Sequence, residues 1–178
     1  MTAIRDLDEA WRVHVEESLA AVEVVGRFEG PLVDVGSGGG APGIPLAFAF
    51  PERSVTLLES NRRKCAFLRE AAREFPNAAV VLGRAEEQET DRFGVAVAKA
   101  LAPPPVAAEW CLPLVVRGGA AILFVGPSVD ADAVGSVAEH VGGGPVEQLP
   151  GLLVLPKVSP TPPGFPRRPG MAKKRPLA

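Results

Sequence analysis

The sequence predicts an α/β protein built on a doubly wound, mostly parallel, seven-stranded sheet. Three observations carry this. Short apolar segments alternate with amphipathic ones along most of the chain, the first apolar segment runs into a loop crowded with glycine, and the second ends in an acid. In order, Leu7 to Val25 sets Trp11, Val15, Leu19 and Val22 at helical spacing, and Pro31 to Val35 is the first strand. A helix over Gly43 to Phe50 begins near Pro42 and Pro45, which suit a first turn whose amides have no intrahelical partner. Ser54 to Glu59 reads SVTLLE, a strand by its apolar and β-branched content, and Asn61 caps a helix running to Phe75. Ala79 to Leu82 and Val95 to Lys99 are the next two strands, followed by a helix over Pro104 to Val116 and a buried strand, GAAILFV, over Gly119 to Val125. A helix over Asp130 to Val141 comes next, then a hairpin of Val146 to Gln148 with Leu152 to Leu155 that turns at Pro150 and Gly151. In such a sheet, ligands bind outside the carboxyl ends of the strands.

Composition bounds the rest. A chain of 178 residues, 47% of them hydrophobic, can bury the core of one domain. The 19 glycines and 19 prolines would argue for disorder if evenly spread, but seven of the prolines fall between Pro156 and Pro176. Residues 1–158 are therefore expected to form the compact domain and residues 159–178 a basic, proline-rich arm. Cys65 and Cys111 sit in different predicted helices without metal-ligand spacing, which points to a reduced, cytoplasmic setting and no metal. No apolar run is long enough to span a bilayer, and Arg5, Asp6, Asp8 and Glu9 exclude a signal peptide at the N-terminus.

The loop LVDVGSGGGAPG, Leu32 to Gly43, carries the chemistry. Gly36, Gly38 and Gly40 can turn tightly and let a ligand approach the main chain. Gly38, Gly40 and Gly43 also match the dinucleotide spacing G-x-G-x-x-G, but a carboxylate at Asp34 would repel a pyrophosphate and suits a cationic ligand instead. S-adenosylmethionine carries a sulfonium and an ammonium, and an acid-x-G-x-G-x-G run after a first strand resembles the class I methyltransferases. Glu59, 23 residues after Gly36, is placed to accept both ribose hydroxyls. A small NAD-dependent oxidoreductase is the weaker alternative, since Asp34 opposes it and no hydride-transfer set is present.

The C-terminus differs in kind. From Gln148 to Ala178 there are six cations and no acid, so against a total of −2 the preceding 147 residues carry −8. A basic arm on an acidic body suits a grip on phosphates at one edge, through Arg167, Arg168, Lys173, Lys174 and Arg175. Removing the arm is expected to leave cofactor affinity unchanged.

Several runs together are specific: DVGSGGGAPGIPLAFAFP from Asp34, LLESNRRKCAFLRE from Leu57, GRAEE from Gly83, AKALAPPPVAAEWCLPLVVRGG from Ala98 and PTPPGFPRRPGMAKKRPL from Pro160. With TAIRDLDEAWRVHVEESL from Thr2, they resemble the bacterial small-subunit rRNA guanine-N7 methyltransferases, the GidB family. The resemblance implies cofactor contacts at Gly36, Ala41, Ala85, Glu86 and Lys99, with Ala85 and Glu86 against adenine, and 16S rRNA or the small ribosomal subunit as partner. It also implies an N-terminal helical segment ahead of the point where this chain starts. Departures stand beside it. Lys99 replaces an arginine and loses its planar fork, Gly94 replaces an aspartate, Val125 a lysine, and Pro150 with Gly151 an Arg-His pair, four changes expected near the active face. A paralogue that binds S-adenosylmethionine or rRNA without methylating is the alternative these changes raise.

No catalytic base is singled out, and guanine N7 needs none, because its lone pair is already free and catalysis can rest on positioning and electrostatics. His14 reads as a packed helix residue, and Cys111 in WCLPLV reads as core rather than as the nucleophile of a cytosine-C5 methylase. Leu101 to Pro105, LAPPP, is not the D/N-P-P-Y/F loop of an amino-group methylase.

Overall fold

The computed structural model describes residues 6–178, so Thr2 to Arg5 of the N-terminal run lie outside the described residues. Seven strands form one sheet in the order β3-β2-β1-β4-β5-β7-β6. Strands β1 (Leu32–Val35), β2 (Val55–Glu59), β3 (Ala78–Leu82), β4 (Phe93–Lys99) and β5 (Val115–Phe124) run parallel. The closing hairpin, β6 (Glu147–Leu149) and β7 (Leu152–Pro156), lies antiparallel, with β7 against β5. The strand order reverses between β1 and β4, which opens a crevice at their carboxyl ends.

Alternate residues of each strand feed two cores. Val33, Ala96, Ala98, Ala121 and Leu123 pack under α6 (Pro104–Cys111) and α7 (Ala131–His140). Leu32, Val95, Val97, Ala120 and Ile122 pack on the other face, with α4 (Gly43–Ala49) and α5 (Arg62–Ala71). Both faces of the sheet are covered, which is why the strands read as continuous apolar runs. Asn61 caps α5 as its sequence predicts, accepting from the amides of Arg63 at 2.9 Å and Lys64 at 3.3 Å.

Two elements depart from the sequence reading. The N-terminal helix is not one amphipathic run from Leu7 to Val25. It comprises α1 (Leu7–Trp11), a wide π turn over Arg12–Glu16, α2 (Glu17–Leu19) and, after a break at Ala20, α3 (Val22–Gly26). The wide turn shifts the helical phase, so Trp11 ends 59% exposed instead of joining the apolar stripe. Likewise the helix predicted to reach Val116 stops at Cys111. Pro113 sits in a 3₁₀ turn over Leu112–Leu114, and the chain enters β5 four residues early, at Val115.

The C-terminal segment does not project as an arm; it is laid along the body. Lys157, counted above among the basic residues of the C-terminus, is fully buried, and its Nζ donates to the carbonyls of Leu112 at 2.9 Å and Val141 at 3.1 Å and to Thr161 Oγ1 at 2.7 Å. Phe165 and Leu177 pack against the α6–α7 core, and α8 (Met171–Lys174) buries Ala172 there. Among the described residues, no helix is long and apolar enough to cross a membrane, and no group of three or more His, Cys, Asp or Glu could hold a metal.

Candidate cofactor-binding site

The loop after β1 is shaped by its own backbone. The Gly36 and Ser37 amides both donate to the Leu58 carbonyl, at 2.8 and 3.1 Å, which folds the loop over the end of β2. Gly36 has φ +75°, a turn that favours glycine, and a Cβ there would come within 2.4 Å of Leu101 Cδ1, the tip of a side chain that would have to swing aside. Over Gly39 an added Cβ would meet nothing within 4 Å, which leaves open space above the loop.

The two acids divide their work differently from the sequence reading. Asp34, 1% exposed, points inward, and its Oδ2 accepts from the Gly43 amide at 3.0 Å. Its Oδ1 is buried without a partner, and burial pushes the carboxyl up to about 7. Asp34 therefore pins the loop to the start of α4 and lines none of the cavities below, where the sequence suggested a countercharge to a cationic ligand. Glu59, at the end of β2, faces the crevice. Its Oε2 accepts from the Gly38 amide at 2.9 Å and its Oε1 from the Asn61 amide at 2.8 Å, and each oxygen keeps a further lone pair.

Three cavities follow one another along the carboxyl ends of the strands. The first, about 250 Å³, is lined by Gly36, Glu59, Ala85, Glu86 and Trp110. The second, about 650 Å³, takes in His14, Gly38, Ala41, Phe67 and Lys99. The third, about 570 Å³, lies between Glu17, Lys99, Phe124, Val125, Pro150 and Gly151. Ala100 lines all three and holds φ +52°, a left-handed backbone unusual for alanine, at the point where β4 ends.

The structure thus gathers Gly36, Glu59, Ala85 and Glu86 around one cavity and Gly38, Ala41 and Lys99 around the next. Gly40 lies beneath the loop instead, its amide donating to the Ser37 carbonyl at 2.7 Å. Lys99 does not reach freely into the cleft. Its Nζ donates to the Val13 carbonyl in the wide turn and stands 2.9 Å from Glu17, so it ties the N-terminal helix to the end of β4. Gly94 corrects the grouping made from sequence. It sits at the amino end of β4, about 17 Å from Lys99 by strand rise, and a Cβ there would fall 1.7 Å from the Glu29 carbonyl oxygen, so an aspartate does not fit this packing. Val125, Pro150 and Gly151 do line the third cavity. Cys111 is buried in the core, and burial pushes its thiol far up, which leaves no thiolate for nucleophilic chemistry.

Sequence reasoning missed Trp110, gave Lys173 to phosphate alone and read His14 as a packed helix residue, whereas all three line the cavities. Trp110 Nε1 and His14 Nε2 are buried without a hydrogen-bond partner, and Lys173 Nζ stands 5.1 Å over the Trp110 ring. One signal was available, an acid at Glu109 within the apolar helix VAAEWC, because a fully buried carboxylate demands a partner. That partner is Arg167, whose Nε and Nη2 reach the two carboxylate oxygens at 2.6 and 2.5 Å. Arg167 is therefore spent inside the fold and is not among the cations open to phosphate. Arg168, Lys173, Lys174 and Arg175 are exposed.

Sheet order, glycine loop and a crevice at the β1–β4 reversal define the Rossmann-like fold of class I methyltransferases. The citrinin polyketide synthase CMeT domain superposes with a TM-score of 0.67 at 11% identity, over 86% of this chain and 57% of that longer one. A family model described as GidB, rRNA small subunit methyltransferase G, matches residues 1–139. The chain is also 36% identical to the ribosomal RNA small subunit methyltransferase G of a Synechococcus species, over 99% of this chain and 78% of that protein. To the protein of the same name from Alkaliphilus metalliredigens it is 38% identical, over 99% of this chain and 82% of the other. The chain belongs to the rRNA small subunit methyltransferase G family.

Proposed function

We propose that the chain transfers a methyl group from S-adenosylmethionine to N7 of a guanine in the 16S rRNA of the small ribosomal subunit, in the cytoplasm, with residues 1–158 as the methyltransferase body and residues 159–178 as an appended basic segment. The observation that carries the reading is Glu59. Its carboxylate closes the end of β2 over the glycine loop, with lone pairs left beside the first cavity. In this reading Glu59 takes the ribose hydroxyls, Ala85 and Glu86 meet the adenine, and the open backbone from Gly36 to Ala41 receives the methionine part in the second cavity. Bound there, S-adenosylmethionine supplies a methyl group on a positively charged sulfur. The third cavity is left for the acceptor base, where Phe124 offers an aromatic face to a base turned out of its stack. Since guanine N7 carries a free lone pair, the chain has no proton to remove, and its residues serve to position the base and exclude water.

The test supplies labelled S-adenosylmethionine and small ribosomal subunits from cells lacking the gene, then identifies modified nucleosides by mass spectrometry. Labelled 7-methylguanosine in 16S rRNA is the expected product. Label on another base, or in another RNA, overturns the reading. The rim of the third cavity, where Val125, Pro150 and Gly151 bring no cation, favours a second reading, a protein that binds without transferring. Cofactor binding with no label in any rRNA would establish that one.

A further inference from the structure

We propose that the C-terminal segment Arg167 to Lys174 is one wall of the cofactor pocket, with Trp110 and Lys173 as cofactor-binding residues and the Arg167–Glu109 pair as the latch that seats the wall. The inference rests on the first cavity being the adenosyl pocket, as read above. Three contacts attach the segment to the residues around that cavity. The Gly170 amide donates to Glu86 Oε1 at 3.0 Å, on the short turn after β3. Arg167 grips Glu109 of α6 through two nitrogens, and Glu109 is only 3% exposed. Three residues beyond Gly170, Lys173 Nζ lies 5.1 Å over the ring of Trp110, and both residues line the cavity together with Gly36 and Glu59.

The chemistry of the wall suits a purine nucleoside. Adenine presents ring nitrogens as acceptors, and Lys173 brings three donors on a flexible stem. Trp110 adds a flat apolar surface, and its Nε1 has no partner in the fold. A buried carboxylate such as Glu109 is costly unless paired, so Arg167 cannot leave without a penalty, and the segment stays docked. Arg168 and Lys174 are exposed on the same segment and Arg175 directly after it, which makes it shared ground between the cofactor pocket and the surface open to phosphates.

The proposal is tested by calorimetric titration of the full chain with S-adenosylhomocysteine, comparing wild type, Lys173→Ala, Lys174→Ala and Arg167→Lys. Lys173→Ala is expected to weaken binding about tenfold and Lys174→Ala to leave it within about twofold. Arg167→Lys, which loses the two-pronged grip, should weaken it severalfold. A second readout does not depend on the latch variant folding. With Trp11→Phe, Trp110 is the sole indole of the chain, and its emission should change with the same midpoint as the calorimetric curve. If wild type binds while Lys173→Ala and Lys174→Ala match it and Trp110 emission stays unmoved, the wall is refuted and the cofactor reading stands. If wild type fails to bind S-adenosylhomocysteine, the cofactor reading falls and takes the wall with it.

Discussion

Asp34 shows how a single residue can be placed correctly by a motif and yet act otherwise than the motif suggests. Its carboxyl, held near 7 by burial, ionises in the unfolded chain at the ordinary value of 3.8. A folded pKa above the unfolded one means that stability from this group is full below about pH 4, drains as pH rises, and is exhausted above about pH 7. The rise from 3.8 to about 7 corresponds to roughly 4 kcal/mol at most. Asp34→Asn keeps an acceptor for the Gly43 amide and removes the buried charge. Urea unfolding at pH 5 and pH 8 should show the variant more stable than wild type at pH 8 and nearly flat between the two; an equal pH dependence in both proteins would refute this account. Gly36 is the second case. Its left-handed backbone and the nearby Leu101 mean that Gly36→Ala lowers stability by about 1 to 3 kcal/mol as well as abolishing cofactor binding. Adding Leu101→Ala should recover the steric part and not the backbone part, seen as a coupling of about 0.5 kcal/mol or more in a double-mutant cycle. Strict additivity would show that the Leu101 contact is unimportant.

At the scale of elements, the C-terminal segment is the one whose structure changes its meaning. Read as a free arm, five cations would give log RNA affinity a slope against log salt of roughly −3.5 to −4.5. Arg167 is committed to Glu109 and Lys173 to the Trp110 side of the pocket, which leaves Arg168, Lys174 and Arg175. Three contacts predict a slope of roughly −2 to −2.7. Filter binding of 16S rRNA across a salt series distinguishes the two, and a slope steeper than the three-cation range would show Arg167 and Lys173 to be reaching phosphate. The N-terminal helix makes the same point. Its period was legible, but the wide turn that brings Val13 and His14 to the cleft answers to Lys99 on β4, a contact 86 residues away.

At the scale of the whole molecule, a wall shared by two ligands makes their affinities interdependent, and the dependence is reciprocal. Saturating S-adenosylhomocysteine should therefore tighten 16S rRNA binding about fivefold or more, and rRNA should tighten the small ligand by the same factor. Independent affinities would show that the segment does not link the two sites.

The succession of strands and helices along the chain, a ligand cleft at the carboxyl ends of the strands and the glycine loop followed by Glu59 were legible in the sequence, because they depend on local periodicity and on backbone rules that act within about 20 residues; which strands flank the cleft came from the fold. Gly36 and Glu59, singled out by the loop and the strand end, and Ala85 and Glu86, implied by the family resemblance, line one cavity. What the sequence could not give was the partner of each charge. Asp34 turning to Gly43, Lys99 to Val13 and Glu17, Lys157 into the core, Arg167 to Glu109 and Lys173 to Trp110 are decided by which surfaces meet once both faces of the sheet are covered. Local pattern fixes where the chain is helical or extended, and with it the family and the cleft. The choice between a solvated and a buried charge turns on desolvation and on contacts across tens of residues, and only the tertiary structure makes that choice.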